Sequence, residues 1–113
     1  MWLHAWAKVT LISEASFLQQ VKSLAHLHGW DCHHSQPSMT RTGRYITTGA
    51  AGFPDLVLAH KVKGLVFAEL KTEKGKTSIA QGHWLAILSP HAECYLWRPS
   101  DIDYIAERLG RAS

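Results

Sequence analysis

The chain has 113 residues, of which 46% are hydrophobic, and its 12 Lys and Arg against 9 Asp and Glu give a formal net charge of +3. This composition excludes a wholly disordered chain, and the length predicts a single domain over residues 1–113. No run approaches the roughly 18 apolar residues of a membrane span, no signal peptide is predicted, and two cysteines favour a reduced, intracellular location.

The first predicted element is a helix that begins at Glu14, where Ser13 can act as the N-cap. Its apolar residues recur at helical spacing and form one stripe, which consists of Phe17, Leu18, Val21, Leu24 and Ala25. Gly29 ends this helix, and a strand is predicted from Trp30 to about His34. Residues 35–52 are rich in Gly, Ser and Thr, which predicts a long loop or irregular ribbon, and such loops in compact domains are usually functional or mobile.

Two apolar runs, 55–60 and 65–71, are joined by a short Lys/Gly segment and predict a β-hairpin. Both faces of this hairpin are apolar, so we expect helices to cover the sheet on both sides. The remaining predicted elements are a helix from Thr77 or Ser78 to about Leu88, a strand at Glu93–Trp97, and a helix that starts at a capping-box-like pair, Ser100 and Asp103, and ends before Gly110. The predicted fold is therefore α/β with the order α-β-β-β-α-β-α.

Charged residues on the apolar hairpin are the informative exceptions. The simplest pairing, with residue 57 opposite residue 67, places Asp55 opposite Glu69, where Cβ atoms are about 4.5–5.5 Å apart. Two carboxylates this close repel each other, and burial raises the cost unless a cation lies between them. Lys71 follows Glu69 by two residues and therefore points to the same side of the sheet. Asp55, Glu69 and Lys71 are thus expected to converge at one end of the hairpin.

Carboxylates at this spacing suit a hard divalent cation, because Mg²⁺ is typically held by one or two carboxylates together with waters and substrate phosphate oxygens. Lys71 could hold a phosphate oxygen, orient a water or stabilise charge that develops in a transition state. The alternative is a solvated salt-bridge cluster at the end of a sheet. An isolated E-x-K would favour that alternative, and the facing Asp55 argues against it.

Two further polar residues point towards the same end of the sheet. Glu14 lies on the inward stripe of the first helix, where it is either a first-turn acid favoured by the helix dipole or a member of the site. Gln81 shares the apolar face of the second helix with Trp84 and Leu85, and a buried amide needs partners. It could bond to backbone groups or reach the site.

The residues Gly52-Phe53-Pro54-Asp55-Leu56-Val57-Leu58, then Val66-Phe67-Ala68-Glu69-Leu70-Lys71, then Gln81 with Trp84-Leu85, resemble the PD-(D/E)xK nuclease signature. In detail they resemble the VRR-NUC type found in phage and repair nucleases. The resemblance runs from about Glu14 to Trp97, which would be the core of the domain. It implies a restriction-endonuclease-like fold, in which a central mixed β-sheet is flanked by helices.

The resemblance also implies roles for individual residues. The implied metal ligands are Asp55, Glu69, the backbone carbonyl of Leu70, and Glu14. Lys71 would position the attacking water or stabilise charge on the phosphate, and Gln81 would support the site from the second helix. The implied activity is Mg²⁺- or Mn²⁺-dependent hydrolysis of DNA phosphodiester bonds without an organic cofactor. A structure-selective endonuclease that cuts branched, flap or junction DNA in phage or repair-type DNA metabolism fits this activity, in a bacterial cytoplasm or another DNA-containing compartment.

The basic residues are concentrated in the middle third of the chain. Residues 41–76 have a net charge of +4, whereas the rest of the chain has a net charge of −1. We predict that four of these residues contact DNA phosphates, namely Arg41, Arg44, Lys74 and Lys76. Because a core of this size offers little surface for DNA, we also predict a homodimer that presents two sites.

Two other functions compete with this interpretation. A non-catalytic nucleic-acid-binding domain on the same fold would use the same basic residues, although it would gain nothing from carboxylates beside a phosphate. A zinc site could be built from Cys32, His33 or His34, and Cys94, but these residues lack the usual spacing of zinc ligands.

Overall fold

The computed structural model describes residues 12–35, 37–39, 43, 45–47 and 49–111. The helices are α1 (Glu14–Leu27), α2 (Ile79–Leu88) and α3 (Ile102–Gly110), and a short 3₁₀ helix (Pro99–Asp101) precedes α3. The strands are β1 (Asp31–His34), β2 (Pro37–Met39), β3 (Tyr45–Thr47), β4 (Leu56–His60), β5 (Gly64–Leu70) and β6 (Glu93–Trp97). These elements form an α/β fold. In the described part of the chain, no helix is long and apolar enough to cross a membrane.

Helix α1 begins and ends where the sequence predicts. The Ser13 hydroxyl accepts a hydrogen bond from the Ser16 N–H at 3.1 Å, which satisfies one of the free donors of the first turn. The apolar stripe faces the core, where Phe17, Val21 and Ala25 are fully buried. Gly29 ends the helix with a φ of +81°, a conformation that favours glycine. Trp30 then donates its backbone N–H to Ala25 O, so the strand starts one residue later than predicted.

The main sheet has the strand order β1-β4-β5-β6, with antiparallel pairs except for the parallel pair of β5 and β6. It is therefore a mixed sheet. The predicted hairpin register is confirmed, because Val57 pairs with Phe67 and Ala59 pairs with Leu65. Continuing this register by one pair beyond Leu56 brings Asp55 opposite Glu69. The end of the hairpin remote from its turn thus holds the two predicted acids.

The segment 35–52, for which the sequence predicts a loop or irregular ribbon, contains two short strands. β2 and β3 pair with each other in an antiparallel two-stranded sheet separate from the main one, with Pro37 opposite Thr47. The predicted order α-β-β-β-α-β-α therefore lacks two strands. Runs of three residues are too short for a period-2 pattern to stand out, although Tyr45-Ile46-Thr47 has the β-branched and aromatic composition typical of strands.

The two faces of the main sheet are covered unequally. On the face towards α1 and α3, Leu56, Leu58, Val66, Ala68 and Leu70 are buried and form the core with residues of both helices. On the other face, α2 contacts Glu69 near the end that holds the acids. At the hairpin-turn end, Ala59 is exposed and Leu65 is 46% exposed. Among the described residues, a helix covers this face near the acids and none covers Ala59 and Leu65, so the expectation that helices cover both faces is confirmed only in part.

The C-terminal helix differs from the prediction at both ends. The expected capping pair of Ser100 and Asp103 does not form the cap, because a 3₁₀ turn occupies 99–101 and the Asp101 carboxylate accepts the Arg98 N–H at 2.9 Å. The helix also includes Gly110. Arg108 is buried on α3, where its guanidinium donates to the Glu93 carboxylate and, at 2.9 Å, to Lys63 O. These bonds join α3, β6 and the hairpin turn.

Candidate active site

The site is organised by two carboxylates that each accept a backbone N–H from the other's strand. The Asp55 N–H donates to Glu69 Oε1 at 3.2 Å, and the Leu70 N–H donates to Asp55 Oδ2 at 2.9 Å. The backbone of Asp55 is held on its other side by the Ser35 N–H, which donates to Asp55 O at 3.0 Å. The structure therefore brings Asp55 and Glu69 together as the sequence predicts, on a backbone that strands β1 and β5 both restrain.

Glu69 lies in an environment that disfavours its ionised form. Only 1% of the residue is exposed. Burial, and then the charge of Asp55, raise the pKa of Glu69 to about 7, and Glu14 contributes in the same direction. The Lys71 ammonium acts against this rise; its Nζ lies 3.8 Å from Glu69 Oε2. The acids and the lysine of the predicted motif thus interact electrostatically within one small volume.

Gln81 makes both of the contacts that its position in the sequence allows, one to the backbone and one to the site. Its side chain completes a capping box with Ser78, since Gln81 Oε1 accepts the Ser78 N–H at 2.9 Å and Ser78 Oγ accepts the Gln81 N–H at 3.1 Å. The amide is thereby fixed, and its Nε2 donates to Glu69 Oε2. Helix α2 therefore orients one oxygen of the buried carboxylate through its own N-terminal cap.

The segment 51–54, which directly precedes Asp55, packs against α2 and so fixes the position of Asp55. Gly52 has a φ of +84°, and a Cβ at this position would lie 2.4 Å from the carbonyl carbon of Ala80, so a larger residue would push the loop away from the helix. The Trp84 indole donates to Ala51 O at 3.1 Å. Phe53 makes an edge contact with Trp84 at a ring-centroid distance of 5.1 Å. Gly52 therefore allows the close approach of the segment to α2, and Trp84 holds the segment there.

A cleft of about 330 Å³ opens beside Asp55. Its lining includes Glu14 from the first turn of α1, Leu70, and His34 from β1. The structure thus places Glu14 at the predicted site. A larger groove of about 770 Å³ follows the outer surface of α1, but the residues that line it include no acid or histidine.

His34 is a residue of the cleft that the sequence suggested only as a ligand of the alternative zinc site. Burial lowers the pKa of His34, while the nearby Asp55 carboxylate opposes that shift. The signal for its position was the pairing of β1 with β4. His34 pairs with Leu56, directly after Asp55, but this register is visible only in the folded sheet.

Two of the four residues predicted to contact DNA phosphates lie within the described residues. Lys74 and Lys76 are exposed on the segment that follows β5 and Lys71, beside the site. Arg41 and Arg44 lie outside the described residues.

The proposed zinc ligands do not converge. Cys32 lies on β1 and Cys94 on β6, with β4 and β5 between them, which separates the two backbones by about 14 Å at the usual strand spacing.

The donor set suits a hard cation. Two carboxylates face each other at the end of the hairpin, and the pKa of the buried one is raised partly by its neighbour's charge, a repulsion that a divalent cation would relieve. Within the described ranges, no cluster of three or more His, Cys, Asp or Glu side chains is arranged to hold a metal ion. A cation here would therefore complete its shell with waters and substrate oxygens, as Mg²⁺ commonly does.

Comparison of the chain with models of protein families, with curated proteins and with solved structures finds no match.

Proposed function

We propose that this protein is a Mg²⁺- or Mn²⁺-dependent nuclease of the VRR-NUC type, which hydrolyses phosphodiester bonds in DNA. The observation that supports this proposal most strongly is the facing pair of Asp55 and Glu69, with Glu69 buried beside Lys71. A salt-bridge cluster that served only stability would gain nothing from a second acid. The Asp55 charge repels the ionised Glu69 carboxylate and raises its pKa, whereas a salt-bridge partner would compensate its charge.

The proposed roles are those that the resemblance implies for these residues. Asp55 and Glu69 would hold the cation, with the Leu70 carbonyl as a further ligand. Glu14, the remaining ligand that the resemblance implies, lines the cleft beside Asp55 but forms no three-acid cluster with the other two in the described residues. A cation bound there would act as a Lewis acid and neutralise charge on the phosphate. Gln81 keeps one oxygen of Glu69 in a fixed orientation by its hydrogen bond.

Lys71 is the group that we propose to act on the substrate. Its side chain is 17% exposed, against 2% for the Glu69 side chain, so its ammonium could meet a substrate and would orient a water or stabilise negative charge on the phosphate.

The exposed Lys74 and Lys76 support a polyanionic substrate, because they follow Lys71 in the chain and add two further positive charges. Arg41 and Arg44 would add to this phosphate-binding surface. We propose that the substrate is a branched, flap or junction DNA, cut by a homodimer that presents two such sites in a DNA-containing compartment of the cell.

Cleavage of a substrate panel tests this function. Labelled linear, nicked, flapped and four-way DNAs are incubated with the protein in Mg²⁺, in Mn²⁺ and in EDTA. We expect cleavage only with a divalent cation, and faster cleavage of the branched substrates than of the linear duplex. A protein that binds these DNAs yet cuts none of them with either cation would be a non-catalytic nucleic-acid-binding domain, and the proposal would be wrong.

A further inference from the structure

The Arg98 guanidinium binds the backbone carbonyls of a loop that lies far from it in sequence. Its Nη1 donates to the carbonyl oxygens of Thr72 at 2.6 Å, Glu73 at 3.2 Å and Gly75 at 2.8 Å. Arg98 directly follows β6, so the end of that strand supplies the cation on which three carbonyls converge. Such charge-assisted bonds are stronger than bonds between neutral groups.

The loop that Arg98 holds connects directly to the candidate site. It follows Lys71, whose N–H donates to Trp97 O at 3.0 Å as the last backbone bond between the two parallel strands. A second tie comes from the Glu73 carboxylate, which accepts the Ser100 N–H at 2.8 Å. The loop is therefore attached to the segment after β6 at several points.

Lys74 and Lys76 are exposed on this loop, on either side of Gly75. Within the loop itself, the Gly75 backbone N–H donates to Thr72 O at 3.2 Å. A short segment with so little structure of its own would otherwise sample many conformations, and ordering it when DNA binds would cost free energy. The bonds from Arg98 remove that cost before DNA arrives.

We infer that Arg98 is a positioning residue for the DNA backbone, which acts through the 72–76 loop to present Lys74 and Lys76 at a fixed distance from Lys71. This inference rests on the proposed function. The ligand that these lysines would recognise is a run of phosphates adjacent to the bond that is cut.

A coupling experiment tests the inference. In a cleavage-deficient Asp55→Asn background, binding of a labelled duplex is measured between about 50 and 200 mM salt for the parent, Arg98→Met, Lys74→Ala/Lys76→Ala and the combined variant. We expect Arg98→Met to reduce the slope of log affinity against log salt by about one to two, since up to two phosphate contacts are lost. We also expect it to have almost no further effect when both lysines are already absent. Arg98→Lys, which keeps the charge but not the planar guanidinium, should lie between the parent and Arg98→Met.

Arg111→Met is the matched control, because it removes the same charge from an exposed residue after α3, beside Arg108 and the hairpin-turn end of the sheet. It should leave the salt slope within about half a unit of the parent. Additive effects of Arg98→Met and the double lysine variant, in proteins with intact unfolding transitions, would overturn the inference. If Arg98→Met does not fold, an Arg98→Lys protein with the parent's slope would also overturn it. If the wild type cuts DNA but the effects of the variants are additive, this inference alone is refuted. If the protein does not bind DNA at all, the proposed function is refuted.

Discussion

Replacing Asp55 with Asn is expected to reduce metal-dependent DNA cleavage at least about a thousandfold, equivalent to about 4 kcal/mol of transition-state stabilisation, and to leave the fold intact. The Asn side chain keeps an oxygen that can accept the Leu70 N–H, which the Asp55 carboxylate accepts at 2.9 Å. What it loses is the negative charge beside Glu69, and with it one of the two acids proposed to hold the cation. Single-turnover cleavage of the best substrate with saturating Mg²⁺ measures the effect.

The same variant separates a loss of chemistry from a loss of stability. Because the Asp55 charge raises the pKa of Glu69, its removal should leave the metal-free protein at least as stable as the wild type at about pH 8. Asp31→Asn provides the control, since Asp31 is an exposed acid of β1 paired with Ala59 at the other end of the sheet. It should cut DNA at the wild-type rate. An Asp55→Asn protein that cuts within about tenfold of wild type would contradict the proposed role of Asp55.

The second large effect is a dependence of stability on pH that comes from Glu69. Its pKa is about 7 in the folded protein, because of burial and the Asp55 charge, against an ordinary value of 4.5. Below pH 4.5 the carboxyl is protonated in both the folded and the unfolded states, and its contribution to stability is fully present. Between pH 4.5 and 7 the unfolded chain ionises while the folded protein keeps the proton, so the free energy of unfolding falls. The total loss should be about 3 kcal/mol in the absence of metal.

Denaturant unfolding of the wild type and of Glu69→Gln across this pH range measures the effect. The variant has no proton to lose at this position, and it gives up one hydrogen bond at a constant cost of about 1 kcal/mol. The difference between the two proteins should therefore change by about 3 kcal/mol over the range, in favour of the variant at high pH. Subtraction cancels the opposite contribution of Glu93, whose pKa is lowered by its hydrogen bond to Arg108. A difference that stays constant with pH would contradict a raised pKa at Glu69.

Features that depend on neighbouring residues in the chain were predicted well from the sequence. Ser13 and Ser78 cap their helices because a hydroxyl there can reach a free backbone N–H a few residues later. The hairpin register was also predictable, because a short connection leaves few pairings and the apolar pattern of both strands must agree. From that register the facing position of Asp55 and Glu69 followed directly.

Contacts between distant segments were not predictable in the same way. The bonds from Arg98 to the 72–75 carbonyls span more than 20 residues, and they involve backbone acceptors that have no signature in the sequence. Arg108 lies on the predicted C-terminal helix, but its burial depends on Glu93 of another element. The exposure of Ala59 and Leu65 on the second sheet face is likewise not revealed by the apolar alternation in the strands.

Titration of Mn²⁺ into the metal-free protein, followed by calorimetry at about pH 8, tests the central claim most directly, because it detects the cation without relying on cleavage. We predict that the wild type and Asp31→Asn bind the cation with equal affinity. Asp55→Asn and Glu69→Gln should each bind it more than about tenfold more weakly, since each removes one of the two facing carboxylates. Wild-type affinity in both of these variants would contradict the claim that Asp55 and Glu69 form a metal site.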